Sequence, residues 1–269
     1  MNLGTPLISI VTVVYNDVKN IERTILSVKN QTYRNIEYVI MDGGSSDGTI
    51  DIIKKYKNNI AHFKSEADHG IYDAMNKSLL FLNGLYVYFL NSGDTIHESR
   101  TIEKIILSTN EANDIIYCDT ILMLGIEKYY LPHRKLTDKD SMPFCHQSVL
   151  VKTQLLKKHN FDSKLRISAD KKFFKYCLTL DIKYKSLDFP LGCIDGDGFS
   201  NKNRILQLTE NQSIFNDSLI SYNIKRLKQY VIIFVILISP KVIYSKLRSF
   251  GYLKNKKAYG AFLKRESIN

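Results

Sequence analysis

The chain has 269 residues, 44% hydrophobic and 24% charged, enough for one large domain or a domain with an appendage, and its core needs no covalent staples. Four scattered cysteines (Cys118, Cys145, Cys177, Cys193), with no CxxC pair and no zinc-like spacing, argue against a disulfide framework or a structural zinc and suit a reducing compartment. The net charge of +11 argues less for nucleic acid than it first suggests: eleven of the 38 Lys/Arg fall between 225 and 265, and Glu266 alone of the 27 acids lies beyond 224, leaving 27 basic against 26 acidic side chains in residues 1–224.

From 7 to 119, short apolar runs alternate with helical spacing, the pattern of βαβ units on a mainly parallel sheet. The opening residues have no basic stretch and no small-residue cleavage site, so they predict a first strand, Leu7–Tyr15, and a cytoplasmic chain. Asn16 or Asp17 is placed to cap a helix with apolar positions Val18, Ile21, Ile25 and Val28. A strand at Ile36–Met41 leads into the turn Asp42-Gly43-Gly44-Ser45-Ser46-Asp47-Gly48-Thr49, then a helix carrying Ile50, Ile53 and Tyr56. Next come a strand around Ile60–Lys64, a helix over Ile71–Leu82, a strand at Leu85–Leu90, a helix over Thr101–Ser108 and a strand at Asp114–Cys118. Beyond 120 the pattern predicts a hairpin or insertion over 120–140, a strand near Gln147–Val151 and a helix over Ala169–Leu178. Strands near 183–194 and a helical segment over 201–225 follow.

Ligands of open α/β sheets bind beyond the carboxyl ends of the strands. Three strand ends here carry dense short polar residues: Tyr15-Asn16-Asp17, Asp42 to Asp47, and Asn91-Ser92-Gly93-Asp94. One such cluster alone suits turn geometry and helix capping; three on one rim point to a shared site. Asp94 follows a very apolar strand and is placed to hold Mg²⁺ or Mn²⁺, which take one or two carboxylates and complete their shell with phosphate oxygens. It is equally placed to cap the next helix. The chain has no GxxxxGK[ST], and no GxGxxG after its first strand, which disfavours a P-loop nucleoside triphosphatase and a dinucleotide-binding Rossmann site.

Residues 7–95 resemble family 2 glycosyltransferases, inverting enzymes of GT-A fold. The resemblance is carried by Ser9 to Asn16, Ser27 to Tyr33, Val39 to Thr49, Glu66 to Lys77 and Phe89 to Asp94, in the family's order. His146-Gln147, Ser168-Ala169-Asp170 and Gly196 to Ser200 extend it to about residue 200. It implies a mixed, mainly parallel α/β sheet flanked by helices, with a nucleotide-binding half (1–119) and an acceptor-binding half (120–224). It implies that Tyr15 and Asp42 hold the nucleotide base, with the Val13 backbone and Asn16, Asp68, Asn76, Asn91, Ser92 and Gly93 around the nucleotide sugar. Asp94 corresponds to the last carboxylate of a DxD-like motif, although Asn91 and Gly93 stand where further acids are usual. Asp170 corresponds to the catalytic base; by spacing alone it also suits the first turn of a helix. His146 and Gln147 fall on the acceptor side. The implied donor is a nucleotide-diphosphate sugar, UDP by family habit, and the acceptor a glycan or lipid-linked glycan of a cell-surface polysaccharide. A nucleotidyltransferase would need a glycine-rich basic loop after the first strand, which is missing, and the absent acids leave a non-catalytic relative as the other alternative.

The loop 195–200 suits either closure over a donor or a simple turn. The run Tyr230 to Ile238 is apolar, shorter than the roughly 20 residues of a membrane span, and flanked by Lys225, Arg226, Lys228, Lys241, Lys246 and Arg248. It reads as a helical basic tail (225–269) lying on the anionic inner face of the cytoplasmic membrane, or as a packed helix with a solvated basic flank.

Overall fold

A computed structural model describes residues 5–134, 136, 142, 144–196, 198, 203–215, 222–228 and 230. The chain divides into two compact units, residues 1–121 with 132–194, and the described residues of 122–131 with those from 195 onward. Asp197, Phe199 and Ser200 of the expected closing loop and the tail from 231 lie outside the described residues.

The elements alternate as the apolar spacing requires: β1 (Ile8–Val14), α1 (Ile21–Lys29), β2 (Ile36–Asp42), α2 (Thr49–Lys55), β3 (His62–Ser65), α3 (Ile71–Ser78) and β4 (Tyr86–Phe89). There follow β5 (Thr95–Ile96), α4 (Thr101–Leu107), β6 (Ile115–Leu124), β7 (Glu127–Leu131), β8 (Val149–Lys152), α5 (Thr153–Lys158), α6 (Ala169–Cys177), β9 (Tyr184–Asp195) and α7 (Arg204–Phe215). The strands form one sheet ordered β3-β2-β1-β4-β8-β6-β9-β5, with β7 paired to β6. Parallel pairing joins β3, β2, β1 and β4; β8 then runs antiparallel to both β4 and β6.

All seven residues of β1 are buried, as expected of a central parallel strand covered on both faces. Alternation along the strand sends Val11 and Val13 into a core with Tyr72 and Met75 of α3, Leu156 of α5 and Phe173 and Phe174 of α6. Ile8, Ile10 and Val14 enter a second core with Ile21 and Ile25 of α1, Ile53 of α2, and Ile102 and Ile105 of α4. The parallel register sets Val14 beside Asp42 and Val11 beside Phe89. The three polar strand ends therefore stand abreast.

Several boundaries differ from the sequence reading. Neither Asn16 nor Asp17 caps α1: Asn20 holds the N-cap position, and the Asp17 carbonyl accepts from the Asn20 and Ile21 N–H groups. The N–H groups of residues 16–18 are held by the turn after β2 (Ser45 Oγ, 2.7 Å; Thr49 Oγ1, 2.9 Å; Asp47 Oδ2, 3.0 Å), which keeps them out of the helix. The helix expected to reach Leu82 ends at Ser78 and tightens into a 3₁₀ turn over Leu79–Phe81. β6 runs on to Leu124, and one long strand, β9, replaces the expected pair.

Candidate active site

Tyr15 leaves the end of β1 64% exposed. Asn16 takes a left-handed conformation (φ 48°), and its Oδ1 accepts from the Ser46 N–H at 2.8 Å. Val13 is buried, and its carbonyl accepts the Ser92 N–H at 3.2 Å, tying the rim of β1 to that of β4. The buried Asp42 carboxylate organises its own turn. Its Oδ2 accepts from the N–H groups of Gly44 (3.1 Å) and Ser45 (2.9 Å) and from Ser65 Oγ (2.6 Å), while Oδ1 accepts from Ser45 Oγ. The groups this corner brings together are Tyr15, Gly43 and Asp68. A Cβ on Gly43 would sit 2.7 Å from Asp68 Oδ2 and 3.4 Å from Tyr15 Cδ2, so a side chain there would displace the carboxylate. Asp68 Oδ1 meanwhile accepts the Gly70 N–H at 2.8 Å.

Asn76 is not brought to this rim. Its amide clasps the backbone of Phe161 in both directions, at 2.8 and 3.0 Å.

The loop after β4 is built by backbone and hydroxyl contacts. Ser92 Oγ donates to Asp17 Oδ2 (2.7 Å), and the Gly93 N–H to Thr24 Oγ1 (3.0 Å). Thr24 Oγ1 donates in turn to the Asp94 carbonyl at 2.7 Å. Gly93 has φ +94°, a conformation glycine adopts without the Cβ penalty, and it lets the Asp94 N–H fold back to the Asn91 carbonyl (3.0 Å). Asp94 is buried and does not cap α4, whose N-cap position belongs to Arg100. Asn91 Oδ1 is buried with no hydrogen-bond partner among the described residues, an orphan acceptor of the kind an ion or a donor group would satisfy. No cluster of three His, Cys, Asp or Glu able to hold a metal occurs among the described residues. One carboxylate and one amide oxygen fit a divalent ion that takes the rest of its shell from phosphate oxygens and water.

Asp170 is the second residue of α6. Ser168 occupies the N-cap position, so Asp170 is free of capping duty. Its Oδ1 accepts from Tyr72 Oη at 2.8 Å and its Oδ2 faces His146 Nδ1 at 2.9 Å. Burial opposes charge on Asp170, but the His146 cation and the hydrogen bonds from His146, Tyr72 and the Lys171 N–H outweigh it and hold the carboxyl below its ordinary range. For His146, burial again opposes charge, while Asp170, with help from Asp94, raises the imidazole above its ordinary value against the opposing charge of Lys171.

His146 and Gln147 lie side by side in a 3₁₀ turn ahead of β8. The Gln147 Nε2 reaches Asp94 Oδ2 at 3.5 Å, and its Oε1 accepts from the Cys145 thiol at 2.9 Å. One turn therefore links the two aspartates, His146 to Asp170 and Gln147 to Asp94. Sequence reasoning missed Tyr72, whose hydroxyl works 98 positions away. It also missed the serines around Asp42, whose only signal is their proximity to a strand-end acid.

Residues 9–171 match the family model described as glycosyl transferase family 2. An uncharacterized glycosyltransferase of Mycobacterium tuberculosis is 37% identical over 92 residues, covering 34% of this chain and 35% of that protein; the match spans about a third of that relative's length. Among solved structures, Staphylococcus aureus TarS 1–349 in complex with UDP-GlcNAc superposes with a TM-score of 0.61 at 19% identity, over 82% of this chain and 70% of that one. The mannosyltransferase PcManGT of Pyrobaculum calidifontis, in complex with GDP-Man and Mn²⁺, gives 0.63 at 12% identity, over 96% and 84%. At these identities the structural likeness is one of fold.

Proposed function

The chain belongs to glycosyl transferase family 2, and from that membership we propose that it transfers a sugar from a nucleotide-diphosphate donor, with inversion, to a glycan or lipid-linked glycan acceptor of a surface polysaccharide. The observation that carries the proposal is the turn at 146–147, which ties a strand-end aspartate on the donor rim to a charged aspartate 76 positions later. In-line displacement needs these two functions on opposite sides of one anomeric carbon.

Tyr15 and Asp68 hold the nucleoside, with Val13, Asn16 and Asp42 fixing the loops that present them. Asn91, Ser92, Gly93 and Asp94 face the diphosphate and sugar. Asp94 and Asn91 would hold Mn²⁺ or Mg²⁺ together with the diphosphate; the neighbours crystallised with Mn²⁺ support a divalent ion. When bound, the ion neutralises the charge of the leaving diphosphate. Asp170, with His146 against it, forms the acid–base centre on the acceptor side, and Gln147 keeps that centre in register with Asp94. UDP is the favoured nucleotide, since neighbours of the same fold bind UDP and UDP-GlcNAc, and GDP-mannose is the first alternative. No described helix is long and apolar enough to cross a membrane. The basic tail is proposed to rest on anionic lipid; vesicles containing phosphatidylglycerol should sediment the full chain at low salt and release it at high salt.

A thermal-shift screen of UDP-glucose, UDP-N-acetylglucosamine and GDP-mannose, with and without Mn²⁺, tests the donor class. At least one should raise the melting temperature more with Mn²⁺ than without. No shift with any of them counts against a nucleotide-sugar site.

A further inference from the structure

We infer that Thr24 is a positioning residue for Asp94, at the head of a polar stripe on α1 that fixes the loop bearing Asp94 and the strand after it. The inference rests on the reading of Asp94 as the metal-side carboxylate of the donor site. Thr24 and Ser27 lie one turn apart on α1, beside the buried apolar positions Ile21, Ile25 and Val28, and Gln31 follows just past its last residue, Lys29. Ser27 and Gln31 belong to a motif, Ser27 to Tyr33, to which the donor and acceptor roles above assign nothing.

Thr24 is fully buried, and its hydroxyl is used in both directions. It accepts the Gly93 N–H at 3.0 Å and donates to the Asp94 carbonyl at 2.7 Å, so one oxygen clamps the Gly93–Asp94 pair at both ends. β-Branching restricts χ1 of a helical threonine to two rotamers, so the place of that oxygen is set by the helix and not by the loop. Ser27 makes the next rung: its Oγ accepts the Ile96 N–H at 3.2 Å and donates to the Thr24 carbonyl at 2.8 Å. At the buried third rung, Gln31 Oε1 accepts the Ile102 N–H at 3.2 Å, while its Nε2 lies 2.8 Å from the Glu98 carbonyl and 3.1 Å from the Ser27 carbonyl.

Three side chains thus satisfy backbone groups of Gly93, Asp94, Ile96, Glu98 and Ile102, in a segment whose one strand, β5, has only two residues. Buried backbone outside regular structure needs such partners. β5 is held by β9 through strand pairing and by α1 through Ser27. Gly93, at φ +94°, has no side chain to anchor the loop, which leaves the task to its backbone bonds. Asn91 and Gly93 also leave Asp94 as the one carboxylate of residues 91–94. The placement of that single group therefore depends on the partners around it, as metal ligands depend on the groups that orient them.

The test is the affinity of the full chain for UDP by calorimetry, with Mn²⁺ and with EDTA. Thr24→Val keeps the branched shape but puts a methyl where the hydroxyl was, against the Gly93 N–H and the Asp94 carbonyl. It should weaken binding with Mn²⁺ about tenfold, the lower end of what loss of an outer partner costs a metal site, and binding with EDTA by less than about threefold. Thr24→Ser, which retains the hydroxyl, should bring the Mn²⁺ value back to within about threefold of wild type. A purely structural role would lower stability without this split. Where Thr24→Val does not fold, Ser27→Ala decides, with an expected loss of about threefold with Mn²⁺ and less than about twofold with EDTA. Equal losses with Mn²⁺ and EDTA, wild-type affinity with Mn²⁺, or no recovery in Thr24→Ser overturns the inference. A wild-type chain that binds UDP equally with Mn²⁺ and with EDTA instead defeats the metal-side reading of Asp94, and this inference with it.

Discussion

Replacing Tyr72 by Phe removes one oxygen and leaves the ring in place, packed 5.4 Å from Phe161 in the core under α3 and α6. The lost hydroxyl donates to a buried, ionised carboxylate, and a hydrogen bond to a charged group contributes about 1.5–3 kcal/mol. The Ile167 carbonyl, also 2.8 Å from Oη, competes with the carboxylate for the one phenol proton and can take it wholly in Asp170→Asn. A double-mutant cycle with Asp170→Asn separates the two, because only the carboxylate-dependent part appears as coupling. Urea unfolding of the wild type, Tyr72→Phe, Asp170→Asn and the double variant should therefore give a coupling energy of about 1.5–3 kcal/mol. Coupling below about 0.5 kcal/mol, the usual limit of additivity, would mean that the phenol does not hold the carboxylate.

The His146–Asp170 pair also makes stability depend on pH. The folded pKa of His146 is raised above 6.5, so its contribution is complete below that value and fades as pH rises through the folded value. The folded pKa of Asp170 is lowered below 3.8, so its contribution is complete above that value and fades as pH falls through the folded value. The stability gap between wild type and His146→Asn, measured by urea unfolding, should be widest between about pH 4 and 6.5 and shrink on either side. Gly43→Ala should weaken UDP binding about tenfold in calorimetry, roughly 1.4 kcal/mol. Because the atom it meets is the movable end of Asp68, its melting temperature should stay close to that of wild type. Asp94→Asn should remove the Mn²⁺-dependent part of nucleotide binding, read as equal UDP affinities with Mn²⁺ and with EDTA.

The sheet was legible because its strands are buried on both faces and flanked by strong helical spacing, as at Ile8–Val14 and Tyr86–Phe89. The family was legible from motifs lying within one βαβ unit or at its rim. What stayed hidden depends on distant partners. β5 has only two residues and exists through its pairing with β9, almost a hundred positions on. The late start of α1 is imposed by side chains of the 45–49 turn. Asn76 matches a family motif in sequence, yet its amide is held by the Phe161 backbone, which no local pattern announces. Asp170 suited the first turn of a helix by spacing and lies there, while its contacts with Tyr72 and His146 come from elements that no local pattern joins to it.

The central claim, sugar transfer organised around Asp94 and the Asp170–His146 pair, is tested most directly by nucleotide release from UDP- and GDP-sugars in the presence of Mn²⁺. Wild type should release nucleotide from at least one donor, and Asp94→Asn and Asp170→Asn should each lose at least 100-fold while remaining folded. Wild-type rates in either variant would contradict the account.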